Sequence, residues 1–225
     1  MRNMWFVQPV PAPAGELVLA SGDYVLKQRL LPSGLAELRE ASQVRGTPLA
    51  AGTQLVEVTS QAGAIFCMPA VPKQKLIGAS FQPCLVDDDR DGDFDGWFNA
   101  ISETKGLLTI AGKRPRKLKP LSATPYASVD PNTLRADCFV GSERRNFFNI
   151  YSLESFMIAF GCGPQADRLT APVNFKSSEM PKEVSVLGAR FTALGEAEGK
   201  MRVRVSEAMP YQPFGVVKTT TYRFY

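Results

Sequence analysis

The sequence contains no histidine among its 225 residues, and this absence excludes several common kinds of active site. Ser-His-Asp and Cys-His catalysis need an imidazole as the general base, and the common catalytic zinc sites use histidine ligands. The Gly-x-Ser-x-Gly pattern of α/β-hydrolases and the glycine-rich phosphate-binding and dinucleotide-binding patterns are also missing. The chain therefore lacks the residues that most hydrolases and nucleotide-dependent enzymes require.

Long apolar runs are missing as well. No run approaches the roughly 18 residues that a membrane-spanning helix needs, so we expect no transmembrane segment. Residues 1–7 carry one positive charge, but their apolar stretch is too short for a secretory signal. We expect either an intracellular protein or one whose signal peptide is absent from the given sequence.

The cysteines are few and even in number: Cys67, Cys84, Cys138 and Cys162. None belongs to a Cys-x-x-Cys pair, which argues against zinc or redox chemistry. Of the three pairings open to four cysteines, closure of consecutive hairpins favours Cys67 with Cys84 and Cys138 with Cys162. Disulfides are typical of oxidising compartments and predict a periplasmic or secreted protein, whereas four buried free thiols are the alternative.

Short apolar stretches separated by turn residues run through the chain, which contains 17 proline and 18 glycine residues. This pattern predicts an all-β fold, a β-sandwich or barrel-like structure of mostly antiparallel hairpins with little helix. The expected hairpins pair residues 24–31 with 35–40, 53–58 with 64–68, and 189–194 with 201–205. Residues 216–225 read as a last strand, and residues 153–160 fit either the one plausible helix or a buried strand.

The composition of the N-terminal segment and the length of the rest of the chain predict how the chain is divided into domains. Proline alternates with small residues up to residue 15, which is typical of an extended tether, so residues 1–15 are interpreted as a tether. The length of the remainder, residues 16–225, suits one large β-domain or two small ones, and a single domain is our expectation.

One motif carries chemistry: the segment 87–95 contains six aspartates and one arginine. Neighbouring carboxylates about 4 Å apart repel by roughly 1 kcal/mol in water, so a compact loop of this composition favours a bound cation or protonation. At neutral pH a divalent cation is the simpler solution. Hard oxygen ligands select calcium over softer metals, so the expected cofactor is Ca²⁺.

The spacing of this motif resembles the EF-hand-type loop, which dockerin and thrombospondin type 3 repeats share in shortened form. The resemblance covers about a dozen residues and implies ligands at Asp87, Asp89, Asp91, Asp93 (by its carbonyl) and Asp95, with Gly92 at the sharp turn. Phe98 stands where the family has a bidentate glutamate, and Asp88, Asn99 and Glu103 are candidates for the missing oxygens. The flanking residues are typical of a strand-loop element rather than of helix-loop-helix.

A basic segment and an aromatic pair are the weaker signals. Candidate polyanion-binding residues lie within 113–119: Lys113, Arg114, Arg116, Lys117 and Lys119. Aromatic residues are not interleaved with them, which argues against nucleic acid, and a solvated loop or an internal pairing with the acidic loop are the alternatives. Trp97 and Phe98 either form a calcium-dependent ligand platform or anchor the loop in the core.

These observations predict a non-enzymatic, extracytoplasmic β-domain that calcium stabilises, with a binding or structural role and a protein or glycan as the candidate ligand. A glycan hydrolase that uses carboxylates among Asp130, Asp137, Glu143 and Glu154 is one alternative. A basic adaptor for a polyanion or membrane surface is the other.

Overall fold

The computed structural model describes residues 1–44, 46–69, 80–102, 104, 106–110, 112–146, 153–163 and 165–216. Strands make up 61% of the chain and helix 3%, and the sheets are antiparallel, so the predicted all-β class is confirmed. The strands in chain order are β1 (Trp5–Val7), β2 (Glu16–Leu19), β3 (Tyr24–Pro32), β4 (Leu35–Leu38), β5 (Ser42–Val44), β6 (Thr47–Leu49), β7 (Gln54–Glu57), β8 (Ala64–Cys67), β9 (Ser80–Asp87), β10 (Asp93–Ser102), β11 (Lys119–Val129), β12 (Cys138–Asn146), β13 (Leu153–Cys162), β14 (Gln165–Lys176), β15 (Lys182–Val186), β16 (Ala189–Ala197), β17 (Lys200–Glu207) and β18 (Gln212–Phe214).

The helical elements of the described residues are two short 3₁₀ turns, Pro131–Thr133 and Ser177–Glu179. In the described part of the chain, no helix has the length and apolar character needed to cross a membrane.

The chain divides into two compact units, and the single domain expected from residue 16 onward stays a prediction. Unit 1 contains Met1–Trp5, Leu31–Asp137 and the chain from Pro213, and unit 2 contains Phe6–Leu30 and Cys138–Gln212.

Unit 1 is built on a closed six-stranded barrel in the order β10-β11-β4-β7-β8-β9. The predicted hairpin of residues 53–58 and 64–68 is confirmed, because β7 pairs with β8. Strands β5 and β6 form a separate two-stranded sheet. Apolar side chains from the barrel strands and from this small sheet fill one core, which contains Ala36, Leu38, Val44, Leu49, Leu55, Phe66, Leu85, Phe94 and Trp97.

Unit 2 contains a four-stranded sheet, β15-β16-β17-β2, and most of a six-stranded sheet, β14-β13-β12-β3-β1-β18. The ring centroids of Phe156 on β13 and Phe191 on β16 lie 4.8 Å apart, so the two sheets pack against each other. In β17, buried and exposed residues alternate as the sequence predicts, since one side faces the core and the other faces water. Its predicted pairing with residues 189–194 is confirmed in β16.

Two local predictions are wrong. Residues 24–31 and 35–38 are strands, but they do not pair with each other: β3 pairs with β12, and β4 pairs with β7 and β11. The predicted tether contains β1, whose Trp5 and Val7 are completely buried. Of the two alternatives for residues 153–160, the strand is observed: they lie in β13, which pairs on both edges, with β12 and β14. Of the predicted last strand, residues 217–225 lie outside the described residues.

The two disulfides have the predicted pairing, Cys67 with Cys84 and Cys138 with Cys162. Each joins residues that lie directly opposite each other on adjacent antiparallel strands, β8 with β9 and β12 with β13. Unit 1 contains the first disulfide and unit 2 the second.

Candidate metal centre

The aspartate-rich loop connects β9 to β10 at one end of the barrel. These strands pair from Gly96 with Val86 to Ser102 with Ser80, so the element is strand-loop-strand, in line with the sequence-based interpretation. Strand β8 lies on the other side of β9, with Ala64 opposite Asp87. The barrel therefore fixes both ends of the loop.

Asp87 ends β9 and is completely buried. Its Oδ1 accepts a hydrogen bond from the backbone N–H of Arg90 (2.5 Å), and its Oδ2 accepts bonds from the N–H of Gly92 (3.2 Å) and the hydroxyl of Tyr126 (2.8 Å). A carboxylate has about four acceptor positions, so these three bonds leave one for a further partner. Asp87 therefore organises the loop and retains capacity for a cation.

Asp89 and Asp95 converge on Asp87. One carboxylate oxygen from each of the three lies within 4.8 Å of the others, and Asp89 and Asp95 are exposed. The pKa of Asp89 is raised, first by partial loss of hydration and then by the like charges of Asp91, Asp95 and Asp87, against the opposing hydrogen bond from the Asp91 N–H. The three carboxylates form a compact, negatively charged group that is open to solvent on one side.

The carboxylates of Asp91 and Asp93 are not in this group. Asp91 instead accepts the backbone N–H of Asp93 at 2.9 Å, which is a local turn of the kind that aspartate commonly forms. Asp93 is the first residue of β10. Three of the four predicted ligand side chains converge, since Asp93 was expected to bind through its carbonyl, and the EF-hand resemblance itself stays a prediction.

The backbone of the loop turns sharply at Gly92, where φ is +98°. This left-handed conformation favours glycine, as expected for the glycine of the motif. Arg90 also has a positive φ, of 63°, and its N–H points to Asp87.

No family model, curated protein or solved structure matches the chain.

The basic segment lies beside the acidic loop. Arg114 Nη2 is 2.6 Å from Asp88 Oδ1, and its Nη1 donates to the carbonyl of Ala62 at 3.0 Å. Asp88, a candidate for a missing calcium ligand, is thus held by an arginine. Lys113, Arg116 and Lys117 are exposed, and their binding of a polyanion stays a prediction. Another candidate ligand, Glu103, lies outside the described residues.

Trp97 and Phe98 are anchors and not an exposed platform. They are 7% and 5% exposed, and Trp97 belongs to the barrel core. The Nζ of Lys119 lies 4.6 Å from the Trp97 ring centroid and covers that face of the indole. A ligand therefore has no access to a tryptophan surface next to the loop.

Two of the four carboxylates named for a hydrolase, Glu143 and Glu154, do not form a catalytic pair. Glu143 is bound by Arg145 and Arg168, and Glu154 is bound by Arg144. The strand register places Glu143 and Glu154 on opposite sides of the same sheet, so they cannot act on one substrate.

Asp130 caps a 3₁₀ turn, because its Oδ1 accepts the backbone N–H of Asn132 at 2.9 Å. The side chain of Asp137 is exposed.

Sequence reasoning missed Tyr126, which supplies the hydroxyl bond to Asp87. Burial, the Asp87 hydrogen bond and nearby negative charge raise its pKa, so the phenol remains a donor at neutral pH. Tyr126 also stacks on Phe94, with ring centroids 4.2 Å apart. Its 39-residue separation from Asp87 leaves no local signal that could have identified it.

Proposed function

We propose that the loop between β9 and β10 binds one calcium ion through Asp87, Asp89 and Asp95, in a non-enzymatic, extracytoplasmic β-protein that the ion stabilises. The observation that carries this proposal is the approach of three carboxylate oxygens to within 4.8 Å of one another. Such a group is self-repelling, and a divalent cation removes the repulsion. Carboxylate oxygens are the ligands that calcium prefers.

The donor set suits a weak site. Calcium takes about six to eight oxygens, and three carboxylates supply only part of that number, with solvent reaching the open side through exposed Asp89 and Asp95. The expected dissociation constant is on the order of 10⁻⁴ to 10⁻³ M, the range of extracellular modules. The two disulfides support the same compartment.

The role assigned to the ion is structural. Asp87 is buried at the end of β9, and Asp95 lies in β10, so the ion would join two adjacent barrel strands beyond their last cross-strand pair. Binding to the folded state alone raises stability by mass action. A calcium concentration ten times the dissociation constant adds about 1.4 kcal/mol to the free energy of unfolding.

The test is the melting temperature and calorimetric calcium titration of the wild type and of the variant Asp89→Asn, Asp95→Asn. Asparagine keeps an acceptor oxygen for the N–H bonds of the loop but removes the charge. The wild type should show a calcium-dependent rise in melting temperature that chelator reverses. The variant should show neither the rise nor the binding heat.

The matched control is Asp91→Asn, Asp93→Asn, which removes the same charge from the same loop outside the group of three. This control should weaken calcium binding much less than the variant does, because Asp91 and Asp93 lie outside the group of three and their carboxylates act on the ion only through their charge. Loss of binding in the control but not in the variant would overturn the assignment of ligands. If the wild type does not respond to millimolar calcium, the proposal that this loop binds calcium is refuted.

A further inference from the structure

Strand β11 departs from regular pairing with β10 near its start. Phe94 on β10 is opposite Thr124 on β11, and Gly96, two residues further along β10, is opposite Pro120. Residues 121–123 of β11 therefore face a single residue of β10 and form a bulge. The extra residues of a bulge have no cross-strand partner, so part of this main chain does not bond to β10.

The other edge of the same segment is also free. Strand β4 pairs with residues 126–129 and ends at Leu38, and the N–H of Arg39 then donates to the carbonyl of Pro125 at 2.9 Å. From there the chain continues into β5, which pairs with β6. Within the described part of the chain, no strand pairs with residues 120–124 on this edge, and none but β6 pairs with β5.

A cavity of about 470 Å³, a volume typical of ligand sites, lies between β5 and the start of β11. Residues 41–43 form one wall and residues 120–124 form the other, and all of them belong to unit 1. The hydroxyl groups of Ser42 and Thr124 lie 3.0 Å apart and join the two walls. We refer to this cavity as the β5–β11 groove.

The lining of the β5–β11 groove suits a polypeptide main chain. Serine, threonine and glutamine make up half of its eight residues and offer hydrogen-bonding groups without charge. Leu121 packs against the barrel core and anchors the bulge, whereas Ser122 and Ala123 are exposed. The small side chains of these two residues allow another backbone to approach the main chain of β11.

We propose that the β5–β11 groove binds an extended peptide segment of a partner protein, which adds a strand to β11 at residues 120–124. Strand addition obtains its affinity from main-chain hydrogen bonds and therefore needs a sheet edge that is not already paired. At about 3.3 Å per residue, this stretch spans roughly 13 Å, enough for about four residues of ligand. Because Pro120 has no N–H group, the donors on this wall come from residues 121–124.

Other roles fit the groove less well. A polyanion is bound through lysine and arginine, and a sugar or nucleobase stacks on aromatic rings, but the groove is lined by neither kind of residue. Bulges and prolines also protect sheet edges from unwanted pairing, and Pro120 and Pro125 flank this one. A purely protective edge would bind no peptide, which distinguishes the two roles.

The test uses a peptide selected from a display library of random short peptides for binding to the full chain. Chelator is present throughout, so the outcome does not depend on the proposed calcium site. Fluorescence anisotropy measures the affinity, and amide hydrogen exchange of the wild type identifies the main-chain groups that the peptide protects. Two further forms of the peptide carry N-methyl groups on its odd-numbered or its even-numbered residues, which removes the main-chain donors on one edge at a time.

Two variants fill the groove from opposite walls, Ala41→Trp and Ser122→Trp. The matched control is Ser185→Trp, which places the same bulky side chain at an exposed serine of β15 in unit 2. Circular dichroism melts establish that each variant is folded. Hydrogen exchange needs only the wild type, so the proposal can be refuted even if a groove variant does not fold.

We expect each groove variant to bind the peptide about tenfold more weakly, with the control unchanged. One of the two N-methylated forms should lose affinity by a similar factor, and the peptide should slow amide exchange within residues 121–124. Undiminished binding to both groove variants, or protection confined to other parts of the chain, would refute this location. Full affinity of both N-methylated forms would refute strand addition. A selection that yields no binding peptide would mean that the edge is protected and would also refute the proposal.

Discussion

The Nε of Arg144 lies 3.0 Å from Oε2 of Glu154, and neither side chain has any exposure to solvent. Arg144 also donates to Glu196 and to the carbonyls of Leu19 and Gly199. With its second bond to Glu154, all five N–H groups of the guanidinium have partners. The buried charge is therefore fully compensated inside unit 2.

Substitution Arg144→Met should destabilise the protein by about 3–5 kcal/mol, because it leaves Glu154 buried without a counter-charge. Urea unfolding measures the difference. The control Arg204→Met removes an arginine whose pair with Glu16 is exposed, and it should cost less than about 1 kcal/mol. Similar costs for the two variants would contradict the buried network.

The disulfide Cys67–Cys84 encloses a sequence separation of 17 residues, and Cys138–Cys162 one of 24. In the chain-entropy account, each stabilises the folded state by about 3 kcal/mol. Replacement of either pair by alanine should lower the free energy of unfolding by that amount. Peptide mapping without reductant should yield these two cross-linked peptides, and a different pairing would refute the arrangement.

Glu179 provides a pH-dependent contribution to stability. The backbone N–H of Lys176 first, and then the ammonium group of Lys182 at 3.1 Å, lower the pKa of this carboxyl from its usual 4.5. A lowered pKa means that the stabilisation is present above pH 4.5 and is lost as the pH falls through the folded-state value. NMR titration of the carboxyl carbon should show the low pKa, and Lys182→Gln should raise it. A midpoint at or above the usual value would contradict this.

Both tryptophans of the chain, Trp5 and Trp97, are buried. Their fluorescence should be blue-shifted and resistant to quenching by iodide, and urea should abolish both properties. Efficient quenching in the folded protein would mean that Trp97 is accessible after all.

Local pairings could be predicted from the sequence and distant ones could not. Strands β7 and β8, like β16 and β17, are neighbours in sequence joined by polar turns, so alternation and turn residues suffice to pair them. Strand β3 pairs with β12, more than a hundred residues away, and the turn after it only resembles a hairpin. Residues 153–162 form a strand because β13 pairs on both edges, with β12 and with β14. A short apolar run in the sequence is compatible with either a helix or a strand and does not reveal this pairing.

The same limit applies to the candidate site. The aspartate spacing predicted a carboxylate cluster, and Asp87, Asp89 and Asp95 converge. Asp91 instead accepts a hydrogen bond from the backbone of Asp93. This bond depends on the conformation of the loop, which the spacing of the aspartates in the sequence does not reveal.

The bond between Cys67 and Cys84 also fixes the alignment of the strand that leads into the acidic loop. Cys67 and Cys84 belong to the same ladder as Ala64 and Asp87, three residues further along. Sliding of β9 by one residue would move every side chain to the opposite side and turn Asp87 out of the barrel. A covalent link between directly opposite residues prevents this slip. The disulfide therefore fixes the register that directs Asp87 inward, even though the carboxylates of the loop repel one another.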